Sequence, residues 1–266
     1  MPDISRIKPT SRRDLHVFYV LDTSGSMEGK PIQILNQTMQ ETIKALEKVA
    51  KSNGDAQLKI SVLEFASVAK WMQPSGPEKV EDFVWMDLTA GGLTQVGAAL
   101  KELNSKLDKN EFLQTSNGMF LPVIIFMTDG HPTDEYEPVL EEIKKNKLFR
   151  RATKIGFAVG EHADVEMIAH LTGDSEAVIR TNNLAVFAKL LQFVSVTSSV
   201  LASTPKTGPI STGRDAVWGA LEESGINPED VSSGIDYIDP DTVILNNPMN
   251  TSSVEIAWED SDDEDW

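Results

Sequence analysis

Apolar and polar positions alternate along this chain in two distinct rhythms. His16–Asp22 (HVFYVLD) is a continuous apolar run ending on a carboxylate, the mark of a buried strand. Over 32–52, Ile32, Leu35, Met39, Ile43, Leu46 and Val49 recur at helical spacing. Leu58–Phe65 is β-branched and alternating, so it predicts a strand, and Val68–Trp71 a short strand able to pair with it. The pattern then predicts a helix over Val96–Leu107 and a very apolar strand over Phe120–Thr128, with Pro122 near its start. A charged helix over Asp134–Phe149 follows, capped near Thr133 or Asp134. A strand at Thr153–Val159, a short helix at Asp164–Leu171, a short strand at Ala177–Arg180 and a closing helix at Leu184–Leu201 complete the series.

Strands that alternate with helices imply a largely parallel sheet covered on both faces. The expected fold class is therefore α/β, a doubly wound sheet with right-handed crossovers. After residue 202 the rhythm fails. "STPKTGPISTG" reads as a linker, Arg214–Ser224 as a possible helix, Thr242–Leu245 and Ser253–Trp258 as short extended pieces, and "WEDSDDEDW" as an acidic end. The predicted organisation is an arm at 1–12, one domain at 13–202 and an acidic linker and tail at 203–266.

Charge sharpens that division. The 266 residues carry a net −17. The segment from 203 onward holds fifteen acidic and two basic side chains, hence −13 of the total, which leaves −4 for the rest. Binding to nucleic acid or to an anionic membrane needs clustered Lys and Arg and is disfavoured. The absence of cysteine removes disulfides, thiolate zinc sites and cysteine nucleophiles. "MPDISRIKPTSRRD" has no apolar core behind its charges, and the longest apolar run, 119–127, is far short of a membrane span. The chain reads as cytoplasmic, without membrane insertion.

Three loops carry oxygen donors. Asp22-Thr23-Ser24-Gly25-Ser26 follows the first strand, Gly91-Gly92-Leu93-Thr94 opens a helix, and Thr128-Asp129-Gly130 follows the most apolar strand. In a doubly wound sheet, ligands gather at the carboxyl ends of the strands flanking the order reversal. If Phe120–Thr128 neighbours the first strand, Asp22 and Asp129 face one another, and Ser24, Ser26 and Thr94 can close a ring of oxygens. Two carboxylates and three hydroxyls suit Mg²⁺ or Mn²⁺, and Ca²⁺ less tightly. The mostly neutral donors leave such an ion electrophilic, so that a carboxylate of another protein is its natural occupant.

Other chemistries fit less well. A phosphatase-type nucleophilic Asp22 lacks a second acid at position 24, which is Ser24. A serine nucleophile needs a histidine base, and His131, two residues after Asp129, is the one candidate. No phosphate-binding glycine motif surrounds Gly91-Gly92. His131 reads instead as a rim residue, together with Gly92 and Asp134.

The pattern D-x-S-x-S, then T, then T-D-G resembles the metal-ion-dependent adhesion site of von Willebrand factor A domains, over roughly residues 13–202. The resemblance implies metal ligation by Asp22, Ser24, Ser26, Thr94 and Asp129, and a binding module without catalytic turnover. "LDTSGSMEGKPIQILN", "GGLTQVGAAL" and "TDGHPTDEY" are most similar to the bacterial TerY-type tellurium-resistance subgroup. That likeness implies a cytoplasmic stress-response or signalling adaptor with kinase-like or phosphatase-like protein partners. Chelatase-type A domains, which serve AAA+ ATPases, imply a second kind of partner; a metal-dependent phosphohydrolase is the enzymatic alternative. The acidic end, bracketed by Trp258 and Trp266, is a further candidate source of carboxylates.

Overall fold

The structure is a computed structural model that describes residues 12–109, 112–203 and 213–223. Seven strands form one sheet: β1 (Arg13–Asp22), β2 (Ala56–Phe65), β3 (Ala69–Trp71), β4 (Glu78–Lys79), β5 (Val123–Thr128), β6 (Thr153–Val159) and β7 (Val178–Thr181). The order is β3-β2-β1-β5-β6-β7, and β4 pairs with β2. β2, β1, β5, β6 and β7 run parallel, whereas β3 and β4 are antiparallel to β2. The chain builds outward from β1 through β2, then crosses back to place β5 on the other side of β1. The strand order reverses between β1 and β5, with Leu21 level with Met127.

Helices cover both faces: α1 (Lys30–Ser52), α2 (Val96–Lys106), α3 (Glu137–Ile143), α4 (Lys147–Arg151), α5 (Val165–Thr172), α6 (Leu184–Ser203) and α7 (Gly213–Glu223). The two-residue period of β1 divides the core. Leu15, Val17, Tyr19 and Leu21 pack toward α1, α6 and α7, while Phe18 and Val20 pack toward α2 through α5. Because both faces are buried, the central strands are apolar throughout rather than alternating with polar residues.

Four expectations need correction. The strand expected from Phe120 begins at Val123, since Pro122 has no N–H to give the ladder. The single charged helix expected over Asp134–Phe149 is two helices, α3 and α4. The break falls at Asn146, whose side chain accepts from Leu148 N and Phe149 N and donates to Asn104 Oδ1 and to the Leu107 carbonyl. Asparagine that satisfies backbone donors in this way starts helices and interrupts them. The expected cap at Thr133 or Asp134 is not used: Tyr136 occupies that position, with no side-chain cap bond. Finally, the body does not stop at 202. α6 runs to Ser203, and α7 buries Val217 and Leu221 completely in the core shared with α1 and α6. The extended pieces expected beyond 224, the acidic run and the N-terminal arm up to residue 11 lie outside the described residues.

Among the described residues, α6 alone is long and apolar enough by composition to cross a bilayer. Its apolarity is accounted for by burial against α1, α7 and the sheet. Three of its buried hydroxyls are satisfied along the helix: Ser195, Ser199 and Ser203 each donate to the carbonyl four residues earlier, whereas the Ser198 hydroxyl has no hydrogen-bond partner among the described residues.

Gly156 on β6 sets the distance between sheet and helix. A Cβ there would stand 2.0 Å from Ile168 Cγ2 and 3.4 Å from Thr172 Cγ2, both on α5. Ile168 is fully buried and β-branched, so it has no free rotamer to retreat into. Gly156→Ala is expected to cost about 1–3 kcal/mol by overpacking. Urea unfolding of Gly156→Ala, Ile168→Ala and the double variant checks this: the double variant should recover part of the loss, and strictly additive costs would refute the contact.

Candidate metal centre

β1 and β5 end side by side, and their last residues supply the centre of the site. Asp22 is fully buried. Its Oδ1 accepts from the Ser24 N–H at 2.8 Å and its Oδ2 from the Thr128 hydroxyl at 2.5 Å. Both carboxylate oxygens are thereby fixed by groups at the two strand ends. The chain then turns through Gly25–Met27, a single 3-10 turn, which brings the two serines round to the same side. Ser24 Oγ lies 3.0 Å from Ser26 Oγ, and Ser26 Oγ donates to Asp129 Oδ1 at 2.6 Å. One continuous line of oxygens thus joins the two strand ends.

The loop that carries Gly91, Gly92 and Thr94 is clasped onto the first loop. Gly25 N donates to the Gly92 carbonyl (3.0 Å) and Gly91 N to the Thr23 carbonyl (2.8 Å). Gly92 has φ +88, and a Cβ on it would fall 2.6 Å from Ser67 Oγ. Only glycine makes this clasp without strain. It leads into Thr94, nearly buried, whose carbonyl accepts from Thr133 N at 2.9 Å. The hydroxyls of Thr94 and Ser26 lie 3.6 Å and 3.7 Å from the point that a Cβ on Gly130 would occupy. A side chain at Gly130 would therefore intrude between two donors. Asp22, Ser24 and Thr94 are buried, Ser26 is exposed and Asp129 half-buried, so the cluster opens to solvent on the Ser26–Asp129 side.

Burial pushes the carboxyl groups of both Asp22 and Asp129 above the usual carboxylate range. The hydrogen bonds from Thr128 and Ser24 oppose this at Asp22, while the charge of Asp129 adds to it. At Asp129 the Ser26 hydroxyl and the nearby His162 oppose the rise. Two carboxylates sharing a poorly solvated cleft is an arrangement that a cation relieves. The donors are all oxygens, two charged and three neutral, and this set fits a hard divalent ion such as Mg²⁺ or Mn²⁺.

A family model for the von Willebrand factor type A domain matches residues 16–192, well over half of the chain. The chain belongs to the von Willebrand factor type A domain family. Among solved structures, this A domain is similar to proximal thread matrix protein 1 from the mussel byssus, at 18% identity and a TM-score of 0.53, over 70% of this chain and 48% of that one. A further structure of the mussel protein, with the same identity, coverage and TM-score, has zinc in its adhesion-site motif. A von Willebrand factor type A protein from Catenulispora acidiphila is 15% identical with a TM-score of 0.53, over 70% of this chain and 43% of that one. At these identities the likeness is one of fold. The chain spans less than half the length of these three structures. No curated protein sequence matches it.

Three residues of this A domain were expected at the rim: Gly92, His131 and Asp134. Asp134 is turned inward: its Oδ1 and Oδ2 accept from Gly97 N and Ala98 N, each at 3.1 Å, and so cap α2. A Cβ at Gly97 would sit 2.8 Å from Asp134 Oδ2, so glycine there belongs to the cap. Both of its carboxylate oxygens thus hold the start of α2. Gly92 is exposed and clasps the first loop through its carbonyl. His131 is exposed, with Nδ1 3.1 Å from Asp164 Oδ2, and Asp164 caps α5 through Met167 N. Thr128, read from sequence as part of an oxygen-bearing loop but not selected as a ligand, holds Asp22 in place. His162, within electrostatic reach of Asp129, gave no local signal.

Proposed function

We propose that this A domain is a Mg²⁺-dependent, non-catalytic protein-binding module, and that a partner protein contributes an Asp or Glu side chain to the ion. The convergence of Asp22, Ser24, Ser26, Thr94 and Asp129 at the carboxyl ends of β1 and β5 carries this reading. Asp22 is locked by Ser24 N–H and Thr128, so it acts as the fixed wall of the site. Ser24, Ser26 and Thr94 present neutral hydroxyls, which leave charge on a bound ion unspent. Ser26 and Asp129 stand on the open side, where a partner side chain can enter. A bound ion supplies a Lewis-acidic position for a carboxylate oxygen.

Two histidines stand near the cluster: His131 is held by Asp164 Oδ2 at the rim, and His162 lies within electrostatic reach of Asp129. By resemblance to the tellurium-resistance subgroup, the module serves as a cytoplasmic scaffold or adaptor in a stress-response or signalling complex. Its partners there are kinase-like or phosphatase-like proteins.

Immobilised wild-type protein in Mg²⁺ is expected to retain a defined set of proteins from the source cell and to release it on chelation. Ser26→Ala and Thr94→Ala should retain that set weakly or not at all. A set that is unchanged by chelator and by both variants would overturn the reading.

A further inference from the structure

At the other end of the sheet, where β1 and β2 begin, a cavity of about 380 Å³ opens between β2, β4 and the loop before β5. Asp14 in its wall and Asp22 in the metal centre are eight residues apart on one strand, about 26 Å of extended chain. Three cations line this cavity, Arg12, Lys59 and Lys79, against one carboxylate, Asp14.

The strand register makes the surplus sharper. Lys79 on β4 lies directly across from Lys59 on β2. Like charges directly opposed on neighbouring strands weaken pairing unless something neutralises them. Asp14 meets Lys59 at 2.9 Å. Among the described residues, neither Lys79 nor Arg12 has a carboxylate partner; Arg12 only donates to the Ala50 carbonyl at 3.3 Å. Glu81 is outside the lining and is engaged by the Gln57 amide at 3.1 Å. The remaining wall is neutral and donor-rich, with Thr115, Ser116 and Asn117 on one side. The hydroxyls of Thr115 and Ser116 make only long bonds, 3.5 Å and 3.4 Å, within their own loop.

We infer that this cavity binds a phosphate group. Its net lining charge of two positives matches a phosphate dianion, and neutral hydroxyl and amide donors suit the oxygens that the cations leave free. Two surplus cations are too few for a polyanion surface such as nucleic acid, where many phosphates are neutralised at once. The phosphate is carried by a small molecule or by a phosphorylated side chain, since the cavity admits either. The site is separate from the metal centre and does not depend on the function proposed for it.

The test is a titration of inorganic phosphate into the full chain at fixed ionic strength without divalent ions, followed by amide chemical shifts. Saturable shifts are expected at 57–59, at 79 and at 114–117, with an affinity in the millimolar range or tighter. Lys79→Gln, at an exposed position, should weaken binding about five-fold or more, whereas Lys70→Gln, on β3, should leave it unchanged. A short phosphoserine peptide run beside its unphosphorylated form distinguishes the sources. Tighter binding than inorganic phosphate places the group on a protein, and equal or weaker binding places it on a small molecule. Shifts that do not saturate, or equal affinity in wild type and Lys79→Gln, would overturn the inference.

Discussion

Asp22→Asn will fold, will be at least as stable as wild type without metal, and will gain nothing from Mg²⁺. The two halves of this result have one cause. In the metal-free protein, burial raises the folded-state carboxyl of Asp22 above its unfolded value. A carboxyl raised in this way stabilises the fold below its unfolded pKa, and that contribution is lost as pH climbs through the folded one. At neutral pH the ionised Asp22 therefore weighs against the metal-free fold, and Asp129, raised for the same first reason, weighs with it. Asparagine keeps an acceptor for Ser24 N–H and places an amide against the Thr128 hydroxyl, which can accept in turn. It removes the charge while leaving the bonds. The wild type, in contrast, recovers its cost on binding: an ion at a hundred times its Kd adds about 2.7 kcal/mol. For a domain of this size that is a rise in Tm of about 5–10 °C. Thermal melts in chelator and in Mg²⁺ should show the rise in wild type only. A variant that is less stable than wild type in chelator, yet still responds to Mg²⁺, would contradict the account.

The second large effect is acid sensitivity centred on His16. Its ring lies in β1, 1% exposed, 6.4 Å from the Phe18 ring and stacked on it, and neither ring nitrogen has a hydrogen-bond partner. Burial brings its pKa down from 6.5 to about 4; Asp14 opposes the fall and Lys59 adds to it. The folded protein therefore holds a neutral imidazole that the unfolded chain would protonate near pH 6.5. The contribution is whole above pH 6.5, declines as pH falls, and levels off below about 4. The full loss is about 3 kcal/mol. His16→Leu, similar in size and unable to titrate, should remove that part of the slope. It should also be no less stable at pH 7.5, because two unpaired buried nitrogens are a standing cost. Urea unfolding of both proteins at pH 7.5, 5.5 and 4 measures this. Parallel pH profiles would refute it.

The oxygen ring was legible in sequence because each piece follows a feature that periodicity detects. Asp22 ends an apolar run, Asp129 ends another, and Thr94 stands two residues before a helix. The pieces that escaped notice are held by partners far along the chain. Thr128 looks like an ordinary strand residue until its hydroxyl is seen on Asp22, 106 positions away. Asp134 looks like an acid opening its own helix, whereas its carboxylate caps α2, 36 and 37 positions back. Asn146 interrupts the charged helix expected over Asp134–Phe149, because a side-chain cap leaves no trace in hydrophobic period. α7 was set apart by the linker before it, although Val217 and Leu221, one turn apart, bind it to the core. The cationic cavity was invisible for the same reason: Arg12, Lys59, Lys79 and the loop at 114–117 come together only through strand pairing.

The central claim is that Asp22, Ser24, Ser26, Thr94 and Asp129 together hold one divalent ion. Titration calorimetry of Mg²⁺ and Mn²⁺ into wild type and Asp22→Ala, with the folding of each checked by circular dichroism, tests it most directly. The account predicts a single site in wild type for both ions and none in the folded variant. Equal binding by the two proteins, or none by either, would contradict it.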